Sequence, residues 1–543
     1  MNTLLLPSQE EIETPLNNRL ALHIVKEAIQ KGVKEFCLSP AARNAPLVYA
    51  LASLSQIKIY YWPEERSAAF FALGRIKATG RPVAVVTTSG TAAGELLPAA
   101  MEAYYTGLPL LLITADRPRR YRGSGAPQSA EQVGLYTYYA HYMQDLEGND
   151  LCQLDKWSCE GPAHLNVCFE EPKDSDCQKI QADNNFPRTT FSSPVKTEDR
   201  RHWNAFEEFL AKVHCPLVVV GALHPSQIER TVSFLLALQA PVYAEGISGL
   251  REDPRLAHLR VTVIDRIWSL AETHGYPIDG ILRIGGVPTA RLWRDLEDKA
   301  GAIHVCSVSE LPFSGLSWAE TLYTPLNPFF EWAIQRIKKP EGDYLPWLQA
   351  DRAAQQFLQQ LFHEEPLAEQ SLIHGLSTLI PVGSKVYLGN SLPIREWDQA
   401  AIWEPKQYKM AANRGVNGID GQLATFLGYS TSEQDNWAII GDLTALYDMA
   451  APWISSQMPD VCANVVVINN GGGQIFARMF AHEAFRNSHQ LEFKPLADFW
   501  KWRYEKWTRI PNQPSPSKGG RLIELLPDQA ATDRFFKKMK SLW

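Results

Sequence analysis

The chain has 543 residues, enough for about three domains of ordinary size. Apolar residues make up 45% and charged residues 21%, the balance of a globular protein and not of a disordered or membrane-embedded one. A formal net charge of −7 provides no global field for nucleic acid, so an anionic ligand must be held by local cations.

The start, Met1 to Pro7, lacks the basic opening of a signal peptide, and no apolar run reaches membrane-spanning length. These features lead us to expect a cytoplasmic protein without a membrane anchor. Val33 to Ser39 reads as a strand, Arg43 to Leu54 as a helix and Ile57 to Trp62 as a strand. Glu64 to Thr79 has helical spacing, Pro82 to Thr88 is a buried strand, Thr91 to Thr106 a helix and Leu108 to Ala115 an apolar strand. Short apolar runs between helices predict a parallel sheet covered on both faces. Residues from about 145 to 200 read as polar and irregular, with a linker around Asp183 to Asp199.

A second unit follows, with strands at Pro216 to Val220, Val242 to Ala244, Gly280 to Ile284 and Ile303 to Cys306. The third has strands at Val386 to Leu388, Trp437 to Ile440, Ala463 to Asn469 and Leu522 to Leu525. The expected fold class is α/β: three α/β domains with mainly parallel central sheets, at 1–190, 200–340 and 360–543. The cysteines Cys37, Cys152, Cys159, Cys168, Cys177, Cys215, Cys306 and Cys462 form no C-x-x-C pair, so a zinc site is poorly supported. A disulfide within Cys152 to Cys177 stays open, although reduced thiols are the expectation. The aromatic stretch Phe499-Trp500-Lys501-Trp502 suggests packing.

The chemistry concentrates in the third unit. Gly441-Asp442 ends one strand pattern, and Asn469-Asn470-Gly471-Gly472 ends the next. A helix pattern, Thr444 to Ser455, lies between them. In a strand-helix-strand unit both ends reach the carboxyl edge of the sheet, where α/β proteins bind ligands. A carboxylate, an amide oxygen and a carbonyl are hard ligands suited to magnesium, and the helix start beside Asp442 favours diphosphate.

This pattern resembles the signature of thiamine-diphosphate enzymes. Thr87-Thr88-Ser89-Gly90-Thr91-Ala92, Leu112 to Pro118, Gly389-Asn390-Ser391-Leu392, Asn413-Arg414-Gly415, Gly418-Ile419-Asp420-Gly421 and Gly472 to Phe476 occur in order. Together they resemble the 2-succinyl-5-enolpyruvyl-6-hydroxy-3-cyclohexene-1-carboxylate synthases of menaquinone biosynthesis. The resemblance implies a pyrimidine-binding, a central and a diphosphate-binding domain. It also implies thiamine diphosphate with magnesium or manganese, and a homodimer or homotetramer with the site at the subunit interface. The family reaction decarboxylates 2-oxoglutarate and adds the succinyl carbanion to isochorismate.

By resemblance, Asp442, Asn470 and the Gly472 carbonyl hold the metal, and Glu65 is the catalytic glutamate. A carboxyl at the pyrimidine ring favours the imino tautomer that takes the thiazolium proton. Arg414, Ile419, Leu443, Ile475 and Phe476 contact the cofactor, Ile419 as the apolar prop and Ile475 and Phe476 as pocket lining. Two dicarboxylate substrates call for arginines, and the matches are Arg43, Arg117, Arg291, Arg395 and Arg414, with Gln128 and Ser391 adding hydrogen bonds. The chain departs from the family at Pro40-Ala41-Ala42-Arg43, where Pro-Gly-Ser-Arg is usual, and at Ala290-Arg291, where Lys-Arg is usual. Three other readings stay open here: an acetolactate-synthase-like or other 2-oxo acid enzyme, a non-catalytic relative, and nucleotide binding on the fold alone.

Overall fold

The computed structural model describes residues 15–180, 202–513 and 518–541; the linker expected around Asp183 to Asp199 falls outside them. Two compact units emerge. One comprises the described residues of Met1–Val195 with Gly415–Ser430 and Tyr447–Val461, and the other those of Lys196–Arg414, Thr431–Leu446 and Cys462–Trp543.

The first unit carries a six-stranded sheet of β1 (Glu35–Leu38), β2 (Lys58–Tyr61), β3 (Val83–Thr87), β4 (Leu110–Asp116), β5 (Tyr142–Glu147) and β6 (Ala163–Cys168), in the order β2-β1-β3-β4-β6-β5. All its pairs are parallel, and β3, β4 and β6 are buried along their whole length. The second unit carries two sheets. The central one joins β7 (Pro216–Val220), β8 (Val242–Ala244), β9 (Gly280–Ile284), β10 (His304–Ser309) and β11 (Thr321–Tyr323), in the order β11-β10-β9-β7-β8. The last joins β12 (Lys385–Leu388), β13 (Lys409–Ala411), β14 (Asn436–Gly441), β15 (Ala463–Ile468), β16 (Arg503–Trp507) and β17 (Gly520–Leu525), in the order β13-β12-β14-β15-β17-β16. Both are wholly parallel. The first and last sheets therefore share one winding, with a switch point between β1 and β3 and between β12 and β14. Crevices at the carboxyl ends of such strands are where this architecture binds ligands.

Several expectations need correcting. The helix expected over Thr91 to Thr106 is two, Thr91–Gly94 and Leu97–Thr106. Pro98 lies in the first turn of the second, where its missing N–H is harmless but its ring ends a continuous ladder. The stretch from 145 onward is not irregular throughout, since β5 and β6 lie in it. Strand β6 hides from an apolar pattern because its buried face carries His164, bonded to Thr114 at 2.8 Å, and Asn166, which donates to Asp116 and Asp145. The helix expected over Thr444 to Ser455 ends at Tyr447 and gives way to a 3₁₀ segment, Ala451–Gln457, with Pro452 in its first turn. Strands β11, β13 and β16 were not expected. All eight cysteines are free thiols.

In the first unit, the Glu65–Thr79 helix packs on the Gln422–Tyr429 helix at backbone contact. A Cβ on Gly74 would lie 2.0 Å from the Thr425 carbonyl oxygen, and one on Gly428 2.1 Å from that of Phe71. Among the described residues no helix is long and apolar enough to cross a membrane.

Candidate active site

Two adjacent glutamates open the Glu65–Thr79 helix and do different work. Glu64 is the cap, its carboxylate accepting the backbone N–H groups of Arg66 and Ser67 at 2.9 Å each. Glu65 is thereby left for other chemistry. It lines an open cavity of about 580 Å³ together with Thr91, Glu95, Tyr447 and Met449. Burial, and then the charges of Glu64 and Glu95, hold its carboxyl above the usual range. Arg66 is fixed beside it by the Tyr447 carbonyl and ring.

The loops after β1 and β4 supply the expected Arg43, Arg117 and Gln128. Arg43 is buried, donating to the Phe169 carbonyl and to the exposed Glu171. Asn44 closes its loop, accepting from the Ala41 N–H and donating to the Ser39 carbonyl. Ala41 and Ala42 are exposed at the tip and neither has a positive φ, so the turn needs no glycine. In the run Arg117 to Arg122, Arg119, Arg120 and Arg122 are paired with acids. Arg117 instead donates to the Pro127 carbonyl at 2.8 Å, which brings it to Gln128. Gln128 has a φ of +56° and packs on Gly90 at the carboxyl end of β3. Gln132, not foreseen, ties this loop down by accepting the Gly90 N–H and donating to Ala115 and Asn166. Ile419 is half-buried just before Gly421, whose φ of +67° starts the Gln422–Tyr429 helix against the Phe70 ring.

In the second unit the carboxyl edge of the last sheet is ordered by Asp442. Its Oδ1 accepts the Leu443 N–H at 2.7 Å, and its Oδ2 accepts those of Gly471 and Gly472 at 2.9 Å each. Burial raises this carboxyl above its usual range, and the three N–H donors oppose the shift. Gly472 has a φ of +128°, and a Cβ there would stand 2.4 Å from the Arg486 carbonyl oxygen, so only glycine fits. Asn470 donates through Nδ2 to Glu369, while its buried Oδ1 has no hydrogen-bond partner. A buried amide oxygen without a donor, beside a carboxylate and a glycine carbonyl, is the donor set a hard divalent cation takes. These residues fit the expected metal. Ile475 and the partly exposed Phe476 follow in the 3₁₀ turn Gln474–Phe476, where the Phe476 ring leans on Phe480 and Phe485.

At the switch point after β12, Ser391 adopts a φ of +72°, a strained conformation for serine. Arg395 Nη1 reaches back to the Ser391 carbonyl at 2.6 Å. Arg414 donates to Asn390 Oδ1 at 2.8 Å. Partial burial, then Arg414 and Arg294, hold Arg395 below the usual guanidinium range, with Glu245 and Asp398 opposing. Arg291, by contrast, is exposed and paired with Asp295 one turn on. Arg294, three residues later on the same helix, adds to the positive field at Arg395. Glu245 was also missed. Fully buried, it accepts the Thr289 and Ala290 N–H groups, and burial together with Asp398 pushes it up to about 8. An isolated Ala-Glu-Gly after a short strand carries no sign of such a role.

Residues 18–135 match the N-terminal TPP-binding domain of thiamine pyrophosphate enzymes. Over nearly its whole length the chain is similar to proteins named 2-succinyl-5-enolpyruvyl-6-hydroxy-3-cyclohexene-1-carboxylate synthase. That of Bdellovibrio bacteriovorus is 43% identical, covering 97% of this chain and 99% of the relative. That of Akkermansia muciniphila is 37% identical, covering 93% and 95%. A solved structure from Mycobacterium smegmatis, described as thiamin diphosphate-dependent, shares the fold with a TM-score of 0.67 at 15% identity, over 93% of this chain and 99% of that one. The acetolactate-type reading finds no support in these relatives.

Proposed function

The chain belongs to the 2-succinyl-5-enolpyruvyl-6-hydroxy-3-cyclohexene-1-carboxylate synthase family, a thiamine-diphosphate-dependent enzyme family, and from that premise we propose the roles its residues take. The reaction is decarboxylation of 2-oxoglutarate and conjugate addition of the succinyl fragment to isochorismate, in menaquinone biosynthesis. Thiamine diphosphate, when bound, supplies the nucleophilic carbon and the electron sink. Asp442, Asn470 Oδ1 and the Gly472 carbonyl hold magnesium or manganese, and Leu443 and Arg414 border the diphosphate side. Ile419 props the cofactor, while Ile475 and Phe476 keep water from the pocket. Glu65 holds a proton at the pyrimidine ring, a task its raised affinity for protons suits. The 1–190, 200–340 and 360–543 segments serve as pyrimidine-binding, central and diphosphate-binding domains. A homodimer is the minimum working unit, each site drawing on two chains.

The observation that carries the reading is the Asn470 amide oxygen, buried and without a donor on the segment whose next two N–H groups bind Asp442. Arg117, Gln128, Ser391 and Arg395 take the substrate carboxylates. Arg43 joins them by exchanging the solvent-exposed Glu171 for a substrate carboxylate, and Arg291 by exchanging Asp295. The test is carbon dioxide release with thiamine diphosphate and magnesium, comparing 2-oxoglutarate with pyruvate. The arginine set predicts a strong preference for 2-oxoglutarate; equal or better use of pyruvate contradicts it.

A further inference from the structure

Beneath the Asp442–Gly472 edge lies a second layer of acids. Glu369 opens the Glu369–Leu379 helix and is 3% exposed; Glu396 lies in the Leu392–Ala400 helix and is 4% exposed. Both Glu369 oxygens accept from Asn470 Nδ2, at 3.1 Å each. The acid is itself held in place. Its N–H donates to Thr532 Oγ1 at 3.1 Å, and the Glu396 carboxyl is close enough to interact with it electrostatically. Glu396 is anchored in turn by Gln370 Nε2 at 2.8 Å.

An asparagine amide has one donor end and one acceptor end. Turning it over would aim Oδ1 at a buried carboxyl and withdraw Nδ2 from both of its acceptors. A buried acceptor facing acceptors is costly, so only one orientation is stable here. That orientation leaves Oδ1 pointing away from Glu369, buried and without a donor. We propose that Glu369 is a positioning residue that sets the Asn470 amide with its oxygen toward the divalent metal. The inference rests on the metal role proposed above for Asn470. Glu369 touches neither substrate nor cofactor in this account. Its effect passes through Asn470, as outer partners of metal ligands commonly act.

The experiment is a manganese titration of the full-length protein with thiamine diphosphate present, read by the spin-resonance signal of free manganese. Melting temperatures of the metal-free proteins are measured beside it. Glu369→Met keeps the buried volume and removes the acceptors; replacing a buried acid by a well-packed apolar group need not destabilise. It should weaken manganese binding roughly 10- to 100-fold, with the metal-free melting temperature little changed. Glu369→Gln retains one acceptor oxygen and should fall between wild type and Glu369→Met. Wild type binding manganese with both variants equal to it overturns the inference alone. If Glu369→Met does not fold, Glu369→Gln equal to wild type does the same. Wild type failing to bind manganese overturns the metal reading beneath it.

Discussion

The carboxyl edges of the central and last sheets are built from the same parallel units, yet they spend their polar groups differently. At the last sheet, Asp442 binds three backbone N–H groups and Asn470 still has an oxygen to offer. At the central sheet, Glu245 turns to the Thr289 and Ala290 N–H groups, and Arg291 turns out to Asp295. Both edges keep a buried oxygen without a partner, Asn470 Oδ1 at the first and Glu245 Oε2 at the second, but only the first sets it on a glycine-rich turn whose N–H groups bind the Asp442 carboxylate. One fold therefore leaves the two edges free to use their polar groups differently.

The comparison is broken most severely at Asp442. Asp442→Ala should abolish magnesium-dependent retention of thiamine diphosphate, checked by calorimetry with and without a chelator. Retention at the wild-type level would place the metal elsewhere. The same division of labour can be tested within one helix start. Glu65→Gln should cut turnover by roughly 10²- to 10⁴-fold. Glu64→Ala should instead cost about 1 kcal/mol of stability, as the loss of a cap does, with far less effect on rate.

Smaller effects should separate the two arginines. Arg395→Ala should raise KM for 2-oxoglutarate roughly 10- to 100-fold, the range for losing a charged hydrogen bond of about 1.5–3 kcal/mol. Arg291→Ala should raise it less, because Arg291 is exposed and must give up Asp295 before it can take a substrate carboxylate. Steady-state kinetics decides, and the reverse order would make the central edge the stronger substrate contact. A pH-dependent test falls on Glu245. Its folded affinity for protons is raised to about 8 from an ordinary 4.5. The stability it contributes is therefore present at low pH and lost as pH rises toward 8. Glu245→Gln mimics the protonated acid. It should match wild type at about pH 4, below the range where an ordinary glutamate ionises, and melt higher near pH 8. A parallel pH dependence in both proteins would contradict this.

Much of the architecture was legible because β3, β4, β7 and β15 are mostly apolar and buried on both faces. Strand β6 was not, because its interior is a hydrogen-bonded polar row, and β11 and β13 are only three residues long. The site followed the same rule. Asp442, Asn470 and Gly472 could be singled out because strand ends and glycines leave local marks. Glu369, Glu396 and Glu245 left none, since each looks like an ordinary helix or loop acid until the chain brings its partner from elsewhere.

The central claim is the transfer reaction, and product mass tests it most directly. Purified protein with thiamine diphosphate, magnesium and 2-oxoglutarate should form the 2-succinyl-5-enolpyruvyl-6-hydroxy-3-cyclohexene-1-carboxylate adduct only when isochorismate is added. Consumption of 2-oxoglutarate with no isochorismate adduct at any concentration would contradict it, and Ala42 and Ala290 would then mark a changed acceptor.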